Sequence, residues 1–145
     1  MRVDFYQLTR DPAEAVLPLI ARNTLSAGAR LLVVSDDEAQ LARISEALWT
    51  RLPDSFLANG RAGEPHADRQ PVLLSQGVEP ENGAKYVAYA DGLWREEADG
   101  TERVFLLFGE DRVQAARETW RMVKARDDAE PHFWRQDGGK WVKAG

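Results

Sequence analysis

Four consecutive aliphatic residues, Leu31-Leu32-Val33-Val34, constrain the fold of this chain more than any other feature. A strand that is apolar on both faces must be covered on both, as a strand inside a parallel sheet is when helices lie on either side. The flanking sequence agrees. Residues 3–8 alternate Val3, Phe5 and Gln7 against Asp4, Tyr6 and Leu8, a strand pattern. Asp11-Pro12-Ala13-Glu14 then opens a helix, with Asp11 as its cap, Pro12 in the first helical position and Glu14 reaching back. Its apolar face is Val16, Leu17, Leu19, Ile20 and Leu25, and it ends at a capping Gly28. Pro18 interrupts that face, so the main helix is expected to begin near it. After the aliphatic run, Ser35-Asp36-Asp37-Glu38 reads as an S-x-x-E capping box, followed by the helical core positions Leu41, Ile44, Ala47 and Leu48.

Repeated β-α units favour a mainly parallel sheet with right-handed crossovers. Residues 50–70, with Pro53, Asn59-Gly60, Gly63 and Pro65, read as one long loop, a length often associated with function. Strands are expected over 71–75, 85–90 and 103–108, the last being the most apolar stretch and therefore central. A helix is expected over 112–126, and two short strands, 132–135 and 140–142, close the chain around a Gly138-Gly139 turn. The expectation is one doubly wound α/β domain over residues 1–145, with helices on both faces of the sheet.

Composition removes several function classes. The chain has no cysteine, which excludes disulfides, thiolate metal sites and cysteine nucleophiles, and its two histidines, His66 and His132, lack partners at ligand spacing. No metal and no cofactor are expected. The N-terminal MRVDFYQL lacks the basic-then-apolar pattern of a leader, and no apolar run is long enough for a membrane span, so the expected location is the cytoplasm. A net charge of -5 opposes sequence-independent binding to a phosphate backbone. The charge is uneven, however. Residues 1–100 hold 10 basic and 16 acidic side chains, whereas 101–145 hold 9 and 8, so an anionic partner belongs with the C-terminal third.

A doubly wound domain raises the expectation of a nucleotide, yet the phosphate loops are missing. The turns Thr9-Arg10-Asp11 and Ser35-Asp36-Asp37 lack the glycines that let backbone approach a phosphate, and both carry carboxylates. There is no G-x-x-x-x-G-K-[ST] and no G-x-S-x-G. Asp36, Asp37 and Glu38 at a helix start suit the helix dipole better than a metal. No catalytic constellation is left.

Two surfaces stand out instead. The helix over 112–126 carries Arg112, Arg117, Arg121, Lys124 and Arg126 against the single acid Glu118. Arg117, Arg121 and Lys124 share one stripe, with Trp120 beside them at the edge of the apolar row Val113, Ala116 and Val123. An aromatic flanked by guanidiniums suits a peptide ending in a hydrophobic residue and a free carboxylate; the alternative is a solvated helix face with Trp120 in the core. The second surface is Trp49 with Phe56, where a helix gives way to the long loop. Aromatics there anchor interfaces or form a small cluster tucked under the loop.

Taken in order, these segments resemble the chi-subunit family of bacterial DNA polymerase III, clamp-loader accessory proteins. The resemblance rests on Asp4-Phe5-Tyr6-Gln7-Leu8, on Ala47-Leu48-Trp49 with Phe56 seven residues after the tryptophan, and on Ala62-Gly63-Glu64 before Pro71-Val72. It continues with Glu110-Asp111 and with Ala116-Arg117-Glu118, Trp120 and Arg121. It implies a Rossmann-like fold without catalysis and two partners. One is the acidic C-terminal tail of single-stranded-DNA-binding protein, at Arg117, Trp120 and Arg121 with Leu107 or Phe108 nearby; Lys124 joins them by its place in the stripe. The other is the psi subunit or an equivalent, at Trp49 and Phe56. Trp120 stands where the family can have tyrosine, and the segment 127–145 is longer and more charged than the family pattern. Two rivals stay open from the residues alone: a small nucleotide-binding regulator, and direct single-strand binding through Trp120 and the arginines.

Overall fold

The computed structural model describes residues 1–138 and 140–144, and Gly139 of the expected Gly138-Gly139 turn lies outside them. Eight strands form one sheet: β1 (Arg2–Gln7), β2 (Leu31–Val34), β3 (Asn59–Arg61), β4 (Val72–Ser75), β5 (Tyr86–Tyr89), β6 (Arg103–Phe108), β7 (Glu130–Asp137) and β8 (Lys140–Lys143). Their order is β3-β4-β2-β5-β6-β1-β7-β8, parallel throughout except for the antiparallel β7–β8 pair. Three α-helices, α1 (Ala13–Ser26), α2 (Glu38–Thr50) and α3 (Val113–Lys124), are found among the described residues. This is the doubly wound, Rossmann-like arrangement expected, with β6 in the interior of the sheet.

Period-two alternation in the strands builds two cores. On one face Leu31, Val33, Leu74, Ala88, Phe105 and Leu107 pack under Val16, Leu17 and Ile20 of α1 and Leu41, Ile44 and Leu48 of α2. On the other, Phe5, Leu32, Val34, Leu106 and Phe108 pack against Ala116 and Val123 of α3. The chain moves one way across the sheet through α1 and α2 and the opposite way through α3, so crossovers of one hand place α3 on the opposite face.

Several local expectations are corrected. α1 is capped by Pro12, with no side-chain cap bond, because Asp11 is engaged elsewhere: its carboxylate accepts from Gln136 Nε2 at 2.7 Å and its amide donates to Gln136 Oε1 at 3.1 Å. α1 also runs unbroken through Pro18, whose buried ring compensates the missing hydrogen bond. Gly28 follows the helix at φ 80°, the left-handed conformation that favours glycine. The cap of α2 is Asp37, whose carboxylate accepts from the Ala39 amide at 2.9 Å; Ser35 lies two residues outside, accepting from the Asp37 amide. Glu38 does not reach back but pairs with Arg61. The long loop is also more ordered than the sequence suggested, since it contributes the edge strand β3 and two short 3-10 turns.

Candidate functional site

α3 packs against β1 and β7, and its sequence explains why it sits so close to them. Ala116 is 1% exposed and Val123 is fully buried, so the contact row is made of small side chains. Trp120 lies at the margin of this row, edge-on to Phe5 at 5.2 Å and to Phe133 at 5.7 Å. Phe133 in turn meets Phe108 edge-on at 5.8 Å. Trp120, Phe133, Phe108 and Val113 line a depression with a volume of about 410 Å3 between α3 and β7. Arg117 and Arg121 rise from its α3 wall and Arg135 from its β7 wall, with Gln7 and Ala144 completing the rim.

All three arginines are exposed, and none has an ion-pair partner among the described residues. Arg2, Arg95, Arg103 and Arg126, by contrast, are committed to internal carboxylates. The depression therefore joins an aromatic floor to unneutralised guanidiniums, a combination suited to a carboxylate attached to an apolar group.

The structure sorts the residues singled out in the sequence. Arg117, Trp120, Arg121 and Phe108 meet at the depression. Leu107 does not: it is 1% exposed and belongs to the α1–α2 core, because neighbours on a strand point to opposite faces. Lys124 is exposed one turn beyond Arg121 and does not line the depression. Trp49 and Phe56 are 53% and 83% exposed, so the cluster tucked under the loop is not formed. Arg135 and Phe133 escaped the sequence reading. Their spacing of two residues on a strand was visible, but the parallel pairing of β7 with β1 that brings them opposite α3 was not.

The place where a doubly wound sheet usually holds a nucleotide is the crevice at the carboxyl ends of adjacent strands whose connections leave in opposite directions, here β1 and β6. It is lined by Glu14, Asp36, Asp37, Asp91 and Asp111 against Arg43 and Arg112. One backbone donor there is already used, since the Asp36 amide donates to Asp91 Oδ2 at 2.9 Å. Arg95 bridges Asp91 at 2.7 Å and Asp36 at 3.0 Å. Burial works to raise the Asp91 carboxyl, but the Arg95 guanidinium and the Asp36 and Leu93 amides outweigh it and hold it below the usual carboxylate range. Among the described residues no group of three or more His, Asp or Glu is arranged to hold a metal ion, and no helix is long and apolar enough to cross a membrane.

Fold and site together define a doubly wound α/β protein whose ligand-like surface is a cationic, aromatic-lined depression on one helix rather than a phosphate loop. Residues 1–129 match the family described as DNA polymerase III chi subunit, HolC, and the chain belongs to that family. It is also similar to DNA polymerase III subunit chi of Escherichia coli (strain K12), with 35% identity over 78 residues, which cover 49% of this chain and 53% of that protein. The matched stretch thus spans about half the length of that relative.

Proposed function

We propose that this chain is a non-catalytic accessory subunit of the DNA polymerase III clamp loader, acting in DNA replication by holding the acidic C-terminal tail of single-stranded-DNA-binding protein. The observation that carries this reading is the set of three unpaired guanidiniums, Arg117, Arg121 and Arg135, around an aromatic-floored depression. A terminal apolar side chain of the tail enters against Trp120, Phe108 and Phe133, and its carboxylate meets the arginines. Charge-assisted hydrogen bonds contribute roughly 1.5–3 kcal/mol each and burial of the side chain about 1.5–3 kcal/mol. After ordering costs this supports roughly micromolar affinity, near -8 kcal/mol. The consequence is a tether: the clamp loader stays near DNA coated by single-stranded-DNA-binding protein without this subunit touching DNA. Its location on this reading is the cytoplasm.

A second surface serves the psi subunit or an equivalent partner. Its support is the exposure of Trp49 and Phe56, two large apolar side chains that a free-standing protein gains nothing by presenting to water. Nucleotide binding is disfavoured by the carboxylates lining the β1–β6 crevice, which repel phosphate.

Fluorescence anisotropy with a labelled peptide matching the tail of the same organism's single-stranded-DNA-binding protein tests the principal reading. Wild type should bind at about micromolar concentration and Arg117→Ala should bind about tenfold or more weakly. Equal binding by the two proteins would remove Arg117 from the site, and no binding by wild type would end the tail reading.

A further inference from the structure

Among the described residues the one helix packed closely on β7 is α3, so the opposite face of that strand has no such cover. On that opposite face Tyr6, Trp134 and Lys143 stand in register across β1, β7 and β8, with Trp141 beside them. Tyr6 and Trp141 pack at the margin of the α1–α2 core and meet edge-on at 4.9 Å, while Trp134 Nε1 donates to Asp4 Oδ1 at 3.0 Å. All three rings are only partly buried. The flank of α1 forms the other side of this open slot. Glu14 of α1 faces α2, accepting from Gln40 Nε2 at 3.1 Å. Leu19, five residues on, is turned about 140° from Glu14 and so lies on the flank away from α2. Asn23 and Ala27 share that flank and line a narrow cavity of about 100 Å3 with Tyr6. Leu19 itself is 41% exposed.

We propose that this slot is a further docking surface, on the face of the sheet opposite the arginine depression, and that it receives an amphipathic helix of a partner protein whose apolar ridge is flanked by acids. Its dimensions select a helix. Passing from β1 to β8 crosses two strand spacings, about 10 Å, which is the width of one α-helix. The eight residues of β7 run about 26 Å, the length of about 17 helical residues. A sheet face of about 260 Å2 is well below the roughly 800 Å2 per partner of a stable dimer, so a second copy of this chain is not the occupant. The rims select the charge. Lys143 on β8, and Arg22 three residues after Leu19 on α1, are exposed and have no ion-pair partner among the described residues. The acids on this face are already engaged: Asp4 is fully buried between Arg2 at 3.0 Å and Arg103 at 2.8 Å, and Glu130 lies 3.6 Å from His132. An acidic rim on the incoming helix therefore meets free cations on both sides, with its apolar ridge against Leu19, Trp134 and Trp141.

Two labelled 17-residue peptides, each with leucines along one helical face and alanines opposite, provide the test by fluorescence anisotropy. Glutamates flank the leucines in one peptide and lysines flank them in the other. Wild type should bind the glutamate peptide about tenfold or more tightly than the lysine peptide. Leu19→Asp places a carboxylate inside the slot and should weaken the glutamate peptide by about tenfold or more, and Lys143→Glu should erase most of the preference between the two. Both side chains are exposed, so the variants keep the fold, which a thermal midpoint close to that of wild type verifies. Full binding of the glutamate peptide by Leu19→Asp, an unchanged preference in Lys143→Glu, or no binding of either peptide by wild type would overturn the assignment. Loss of binding in Phe56→Asn or Arg117→Ala, with Leu19→Asp unaffected, would overturn it too by placing the helix on one of the other two surfaces.

Discussion

Phe56 holds φ at 46°, in the left-handed region where a bulky side chain is strained, and presents a ring that is 83% exposed. Neither property helps the isolated fold. The strain costs on the order of 1 kcal/mol and the exposed ring returns little burial. A residue that is unfavourable twice over is best explained by a partner that covers it. Asparagine tolerates the left-handed region, so Phe56→Asn is expected to raise stability by about 0.5–1 kcal/mol, seen as a higher urea midpoint at unchanged m. The same variant should no longer co-elute with a psi-type partner, while its affinity for the tail peptide stays at the wild-type value. A lower midpoint would mean that the ring packs on the protein itself.

At the scale of elements, α3 is fastened at its carboxyl end by Arg126, which donates to both oxygens of Glu97 at 2.9 and 3.1 Å and to Asp128 at 2.9 Å. The guanidinium of Arg126 holds the Glu97 carboxyl below the usual carboxylate range. A carboxyl depressed in the folded state contributes stability above its unfolded pKa of about 4.3 and loses it as pH falls toward the folded value. Stability should therefore decline as pH drops from about 5 to 3, and Glu97→Gln should flatten part of that decline in urea titrations across the range. An acid limb identical to wild type would show that the bridge adds nothing to folding. Elements with a strong period were legible in the sequence: β2 from its aliphatic run, β6 from its apolar length, and α3 from Val113, Ala116, Trp120 and Val123. β3 was not, because Asn59-Gly60-Arg61 has no apolar side chain and is a strand only by pairing with β4 at the sheet edge. The start of α1 was misread for a similar reason, since Gln136 reaches it from 125 residues away and takes the expected cap. Half of the candidate site lay on one helix and could be read from helical spacing. The other half needed the β1–β7 register, a tertiary fact, and that register also decides that Phe108 rather than Leu107 faces α3.

Over the whole molecule the α3–β7 depression and the β1–β6 crevice differ in sign. The chain carries a net charge of -5, and the β1–β6 crevice is lined by carboxylates, so phosphates are repelled from the place where this topology ordinarily receives them. The α3–β7 depression is the local exception, with its three arginines facing solvent, so on the proposed reading an acidic tail docks there and its binding should weaken with added salt. Thermal unfolding separates the two surfaces in one experiment. A ligand that binds only the folded state stabilises it by RT ln(1 + [L]/Kd), about 1.4 kcal/mol at ten times Kd. For a chain of 145 residues that corresponds to a rise in Tm of about 3–6 °C. The tail peptide should produce this shift, and Arg117→Ala should lose most of it at the same peptide concentration. ATP at millimolar concentration should leave Tm where it is, because its phosphates would have to displace Arg95 from Asp91 and Asp36 and then lie among the remaining acids. A rise with ATP and none with peptide would return the crevice to the centre of this protein's function and leave the arginines of α3 as an ordinary solvated face.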